Sequence, residues 1–236
     1  MTTTNKDKIE ERRQTLPLEP VPNLFREGRG ANIEIMDTTL RDGEQTSGVS
    51  FAAQEKVSIA RLLLEELGVD RIEVASARVS EGEFQSVKKI AQWAQTHGHL
   101  NRVEVLGFVD GTASLNWISN AGCRVVNLLC KGSLKHCKYQ LRKTVEEHLA
   151  DIKAVIADAV NMGIKVNIYL EDWSNGMRNS EEYVYQMMDE LQHQPIMRYM
   201  LPDTLGVLNP DETRDFCQRM ISRYPSLHFD FHAHND

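Results

Sequence analysis

The chain has 236 residues, 41% of them hydrophobic, with 27 basic side chains against 34 acidic ones and a net charge of −7. That content suits one large domain with a sizeable core. The interspersed, net acidic charge excludes a nucleic-acid surface and a polybasic membrane patch, leaving small anions held in a local pocket.

The opening stretch, "MTTTNKDKIEERRQTLPLEPVPN", lacks the apolar core of a signal peptide, and nowhere do 18 apolar residues run together. Residues 1–30 are therefore expected to be a flexible N-terminal leader. Beyond it the chain alternates between two periods. Short β-rich runs begin near residues 33, 71, 102, 124, 165, 197 and 227. Between them lie helical patterns such as "AAQEKVSIARLLLEELG" and "TVEEHLADIKAVIADAVNMG", with apolar residues three and four apart. Gly68, Gly122 and Gly163 each stand where a left-handed helix cap precedes a strand.

A strand following a helix about every 30 residues predicts parallel strands joined by right-handed crossovers. Periodicity leaves two α/β architectures open, a (β/α)8 TIM barrel cut short and an open doubly wound sheet. The polar residues favour the barrel, because only a closed wall lets the first and seventh strands share one site. The first ends in "DTTLRDGEQ" and the seventh in "FDFHAHND". Residues two apart on a strand share a face, so His232 and His234 present two imidazoles side by side, and with Asp42 they form a candidate three-ligand divalent-metal site. Arg41 beside Asp42 offers a planar fork for a substrate oxygen or carboxylate.

Other histidines and sulfurs read as structural. His97 and His99 belong to a loop at the opposite end of the barrel. His136 and Cys137 are flanked by lysines with no partner at ligand spacing, and His148 lies on a glutamate-rich helical face that is expected at the surface. Met187 and Met188 are expected to pack a helix. Cys123, Cys130, Cys137 and Cys217 lack the two-residue spacing of a zinc or redox pair and read as reduced thiols of a cytoplasmic protein.

"DTTLRDGEQ", "LPDTLG" and "HAHND" together resemble the DRE-TIM metallolyases, and within them the Claisen-condensing synthases of 2-isopropylmalate, homocitrate and citramalate, over residues 31–236. "IEVASARVSEGE", "VLGFVDG", "NLLCKGS" and above all "YLEDWSNGMRNS" are most similar to the (R)-citramalate synthases. The resemblance implies condensation of acetyl-CoA with pyruvate to give (R)-citramalate and CoA, in the branched-chain amino-acid synthesis that leads to isoleucine. It also implies a divalent metal (Zn, Mn, Co or Mg) and a homodimeric full-length protein. The neighbouring reading is a 2-isopropylmalate synthase using 2-oxoisovalerate on the way to leucine. In this scheme Arg41 stabilises the developing alkoxide, Glu171 is the base or orients it, and Thr204 binds the pyruvate carboxylate. Leu106, Leu129 and Tyr169 form the wall that admits a methyl group.

After strand seven a full barrel still requires an eighth strand and closing helices. Residues 31–236 are thus expected to be a partial catalytic barrel ending at strand seven, its edge strands unpaired. Two further readings stay open, aldol cleavage or carboxyl transfer with the same metal, and a non-catalytic scaffold.

Overall fold

The computed structural model describes residues 33–234; the expected leader lies outside them. Seven parallel strands form one sheet in strictly sequential order: β1 (Met36–Asp37), β2 (Arg71–Ser76), β3 (Val103–Phe108), β4 (Val125–Lys131), β5 (Lys165–Glu171), β6 (Ile196–Asp203) and β7 (Phe229–Ala233). Sequential order excludes the doubly wound alternative, whose strand order reverses at a switch point. The sheet curls as an incomplete (β/α)8 wall. Arg71 on β2 reaches Asp230 on β7 at 2.8 Å and also bonds Glu104 on β3, so strands five places apart face each other across an interior.

Helices cover the outside: α1 (Ala53–Arg61), α2 (Glu81–Thr96), α3 (Ala113–Asn120), α4 (Val145–Asn161), α5 (Trp173–Asn179), α6 (Glu181–Leu191) and α7 (Pro210–Arg223). Local chemistry fixes their ends. Ser80, Thr144 and Asn209 side chains accept backbone N–H groups at the first turns of α2, α4 and α7. Gly68, Gly122 and Gly163 adopt φ of 74°, 89° and 69°, the left-handed stops expected of them. The helix beginning at α1 widens to π turns over Leu62–Leu67 before Gly68, a change that the 3.6-residue pattern does not signal.

Alternation along each strand separates two layers. Ile72, Val74, Val103, Val105, Val126 and Leu128 join the large core beneath the helices, whereas Leu106, Tyr169 and Met200, with Met36 and Leu129, form a small separate cluster inside the curl. The first strand is shorter than "IEIMDTTL" suggests. Beyond Asp37 the Thr38 carbonyl turns inward and accepts the N–H groups of Arg41, Asp42 and Gly43 at 3.0, 2.8 and 3.1 Å, so the ladder gives way to a tight turn.

Candidate metal centre

That turn sets Asp42 against the end of β7. His232 Nε2 and His234 Nε2 lie 3.2 and 3.4 Å from Asp42 Oδ2 and 3.1 Å from each other. Three adjacent ligands about 2.1 Å from one ion are separated by roughly 3.0–3.4 Å, in octahedral and tetrahedral geometry respectively. The residues therefore fit a divalent cation, and they are the only such group of His, Cys, Asp and Glu among the described residues. The hydrogen bond from His232 leads in holding the Asp42 carboxyl below its usual range; burial opposes it, while Arg41 and both imidazoles reinforce it. A carboxylate so held stays ionised and ready to coordinate.

Arg41 is nearly buried and faces two carboxylates. Its Nε donates to Glu73 Oε2 at 2.5 Å and its Nη1 to Asp42 Oδ1 at 2.7 Å. Its Nη2 is buried, with the Tyr169 hydroxyl beside the guanidinium. Beside the centre opens a cavity of about 800 Å3, with Met36, Thr38, Asp42, Gln45 and His234 in its lining.

Leu106, Leu129 and Tyr169 form one apolar wall. Leu129 and Tyr169 are paired across β4 and β5, Leu106 joins them from β3, and the Tyr169 ring lies 5.7 Å from that of His232. Sequence reasoning missed Met200 and Met36, which complete this wall. Thr204, at the end of β6, accepts the N–H of Asp172 at 3.0 Å through its hydroxyl oxygen, and its hydroxyl proton remains able to donate. Glu171 is drawn aside to Lys131, its register partner on β4. A rim salt bridge thus occupies this acid in the fold.

One histidine departs from expectation. His148 is 2% exposed rather than at the surface, because its Nε2 accepts the Lys131 N–H at 3.0 Å, satisfying a donor that β4 leaves at its end. Burial pushes its pKa down to about 4. His97 stacks on Trp93 away from the centre, as a structural residue should, and all four cysteines are free thiols. No helix among the described residues is long and apolar enough to cross a membrane.

A family profile described as HMGL-like matches residues 32–236. The chain belongs to the HMGL-like family. The (R)-citramalate synthase of Methanocaldococcus jannaschii is 35% identical over 86% of this chain and 40% of its own length. The 2-isopropylmalate synthase of Sulfurisphaera tokodaii is 32% identical over 86% of this chain and 51% of its own. The homocitrate synthase of Saccharolobus islandicus strain L.S.2.15 is 30% identical over 86% and 43%. The chain thus spans about half or less of the length of these curated relatives. Among solved structures, the HMG-CoA lyase of Bacillus subtilis superposes with a TM-score of 0.65 at 21% identity, over 86% of this chain and 68% of that one, a likeness of fold.

Within this HMGL-like barrel the residues least visible in the sequence are the polar ones beneath the wall. Glu73, Asn127 and Asn167 are all fully buried and inward-facing. The available signal was their strand position: Asn127 and Asn167 stand two residues before Leu129 and Tyr169, on the same face.

Proposed function

We propose that the full-length protein condenses acetyl-CoA with a 2-keto acid, that pyruvate is that acid, and that (R)-citramalate and CoA are the products. The observation that carries this reading is the convergence of Asp42, His232 and His234 within 3.1–3.4 Å of one another, beside Arg41 and against the Leu106, Leu129 and Tyr169 wall. The named relatives support the reaction class, since they comprise synthases of citramalate, 2-isopropylmalate and homocitrate.

Asp42, His232 and His234 would hold a divalent cation, which would supply Lewis acidity toward the keto acid. Arg41 donates to the ketone oxygen as it becomes an alkoxide. Glu171, at the mouth, takes or directs the proton leaving the acetyl methyl group once its bridge to Lys131 opens. The methyl carbon then bonds to the ketone carbon, the alkoxide is protonated, and water cleaves the thioester to release CoA. Thr204 donates its hydroxyl proton to the keto acid carboxylate, and Leu106, Leu129 and Tyr169 close around the methyl group. This chemistry suits a cytoplasmic enzyme of branched-chain amino-acid synthesis.

Thiol release from acetyl-CoA across a panel of 2-keto acids tests the proposal on the full-length protein. Pyruvate is expected to give the highest kcat/KM. Preference for 2-oxoisovalerate identifies a 2-isopropylmalate synthase, and no thiol release with any keto acid overturns the condensing reaction.

A further inference from the structure

The interior polar residues form a line rather than a scatter. Asp42 accepts from Arg41 at 2.7 Å, Arg41 donates to Glu73 at 2.5 Å, Asn127 Nδ2 donates to the other Glu73 oxygen at 2.7 Å, and Asn167 Nδ2 donates to Asn127 Oδ1 at 2.9 Å. The line crosses the interior from the β1 turn through β2 and β4 to β5, with Glu104 of β3 also beside the Asn127 amide. Glu73, Asn127 and Asn167 are each 0% exposed.

Each bond has a direction set by chemistry. Glu73 accepts Arg41 on one oxygen and needs a donor on the other, so the Asn127 amide must turn its NH2 group toward it. The Asn127 carbonyl then faces β5, where Asn167 meets it with a donor and prevents the amide from flipping. Stability alone does not account for asparagine at 167, because its Oδ1 is buried with no partner among the described residues, a cost that an apolar side chain avoids.

We infer that Asn127 and Asn167 are positioning residues for the metal centre, acting through Glu73 and Arg41 to fix the orientation of the Asp42 carboxylate. The inference rests on the proposed metal site and goes beyond it by assigning part of the cation affinity to residues two and three hydrogen bonds removed from the ligand-bound arginine. Groups that orient a ligand typically account for about 10–100-fold in metal affinity.

The test is titration calorimetry of the metal-free full-length protein with Mn2+ alone, run as a double-mutant cycle. Asn127→Leu is expected to weaken binding about 10–100-fold, and Asn167→Leu to weaken it less, because Asn127 can still reach Glu73 in one of its two flips. In an Arg41→Ala background Asn127→Leu should change affinity by less than about twofold, the non-additivity of residues that act through one another. An equal loss in both backgrounds, or no loss in the arginine-containing protein, overturns the relay and makes both asparagines packing residues. Where Asn127→Leu does not melt cooperatively, Asn127→Ser enters the same cycle and is judged by the same outcomes. Since the probe is the cation, an error in the keto acid leaves the cycle readable. Failure of the unaltered protein to bind Mn2+, or binding untouched by His232→Ala, overturns the metal site itself and the relay with it.

Discussion

The two faces of the sheet follow opposite rules. The helix-facing side is a continuous apolar layer in which Ile72, Val105, Leu128 and Ile168 are completely buried, and it supplies stability through area removed from water. The inner side buries Arg71, Glu73, Glu104, Asn127 and Asn167 just as deeply. Burial pushes Glu104 above the usual carboxylate range even with Arg71 beside it, so this face is costly to maintain. The contrast teaches that stability and chemistry are separated by one pleat: neighbours in sequence serve different ends.

The comparison breaks most sharply at the metal ligands. Asp42→Asn or His232→Ala in the full-length protein is expected to abolish keto-acid-dependent thiol release while shifting Tm by no more than a few degrees; a large Tm loss would instead make these residues part of the scaffold. Arg41→Ala comes next, with kcat down about 10²–10³-fold, as for loss of an oxyanion donor. At saturating metal this variant should still bind one cation per protomer, and metal analysis beside kinetics checks it.

Truncation on the outer face should show the reverse pattern. Ile168→Ala is predicted to cost about 2–5 kcal/mol of stability, read from denaturant melts, with KM for the keto acid unchanged; a KM effect as large as that of an inner-face variant would erase the distinction. His148 sharpens it through pH. Its pKa is about 4 in the fold against 6.5 ordinarily, so between those values the unfolded chain binds more protons and stability falls as pH falls. Its contribution is complete above pH 6.5, and lowering pH from 7 to 5 should cost about 2 kcal/mol. His148→Gln keeps an acceptor for the Lys131 N–H and should remove that pH dependence.

The smallest effect concerns selectivity. Leu106→Ala or Leu129→Ala should narrow the pyruvate to 2-oxoisovalerate ratio of kcat/KM by about 1–3 kcal/mol. A ratio unmoved by both variants would remove these leucines from the substrate wall.

Much of this was legible in the chain because strand and helix periods differ and glycine marks the joins. The run beginning at 71 starts β2 where expected, and Gly163 caps α4 just before β5. His232 and His234 were legible for a similar reason, since two-residue spacing on a strand fixes a shared face without reference to anything distant. What stayed hidden depends on distant partners. Asn127 looks like an interruption of an apolar run until Glu73, 54 positions earlier, is seen across the interior. His148 carries no local sign that Lys131 N–H needs an acceptor, and the pairing of Lys131 with Glu171 follows from the register of β4 on β5. The early end of β1 has no sign in β-propensity, which does not report where one carbonyl collects three amides.

That carbonyl has a consequence for motion. Thr38 O alone accepts the amides of Arg41, Asp42 and Gly43. One carbonyl therefore serves three consecutive amides, and rotation of that single peptide group would release all three at once. If that rotation is the opening motion, hydrogen exchange at these three amides should report one shared event. The carboxylate of Asp42 and the guanidinium of Arg41 thus share one backbone support, independent of the β7 end that carries His232 and His234.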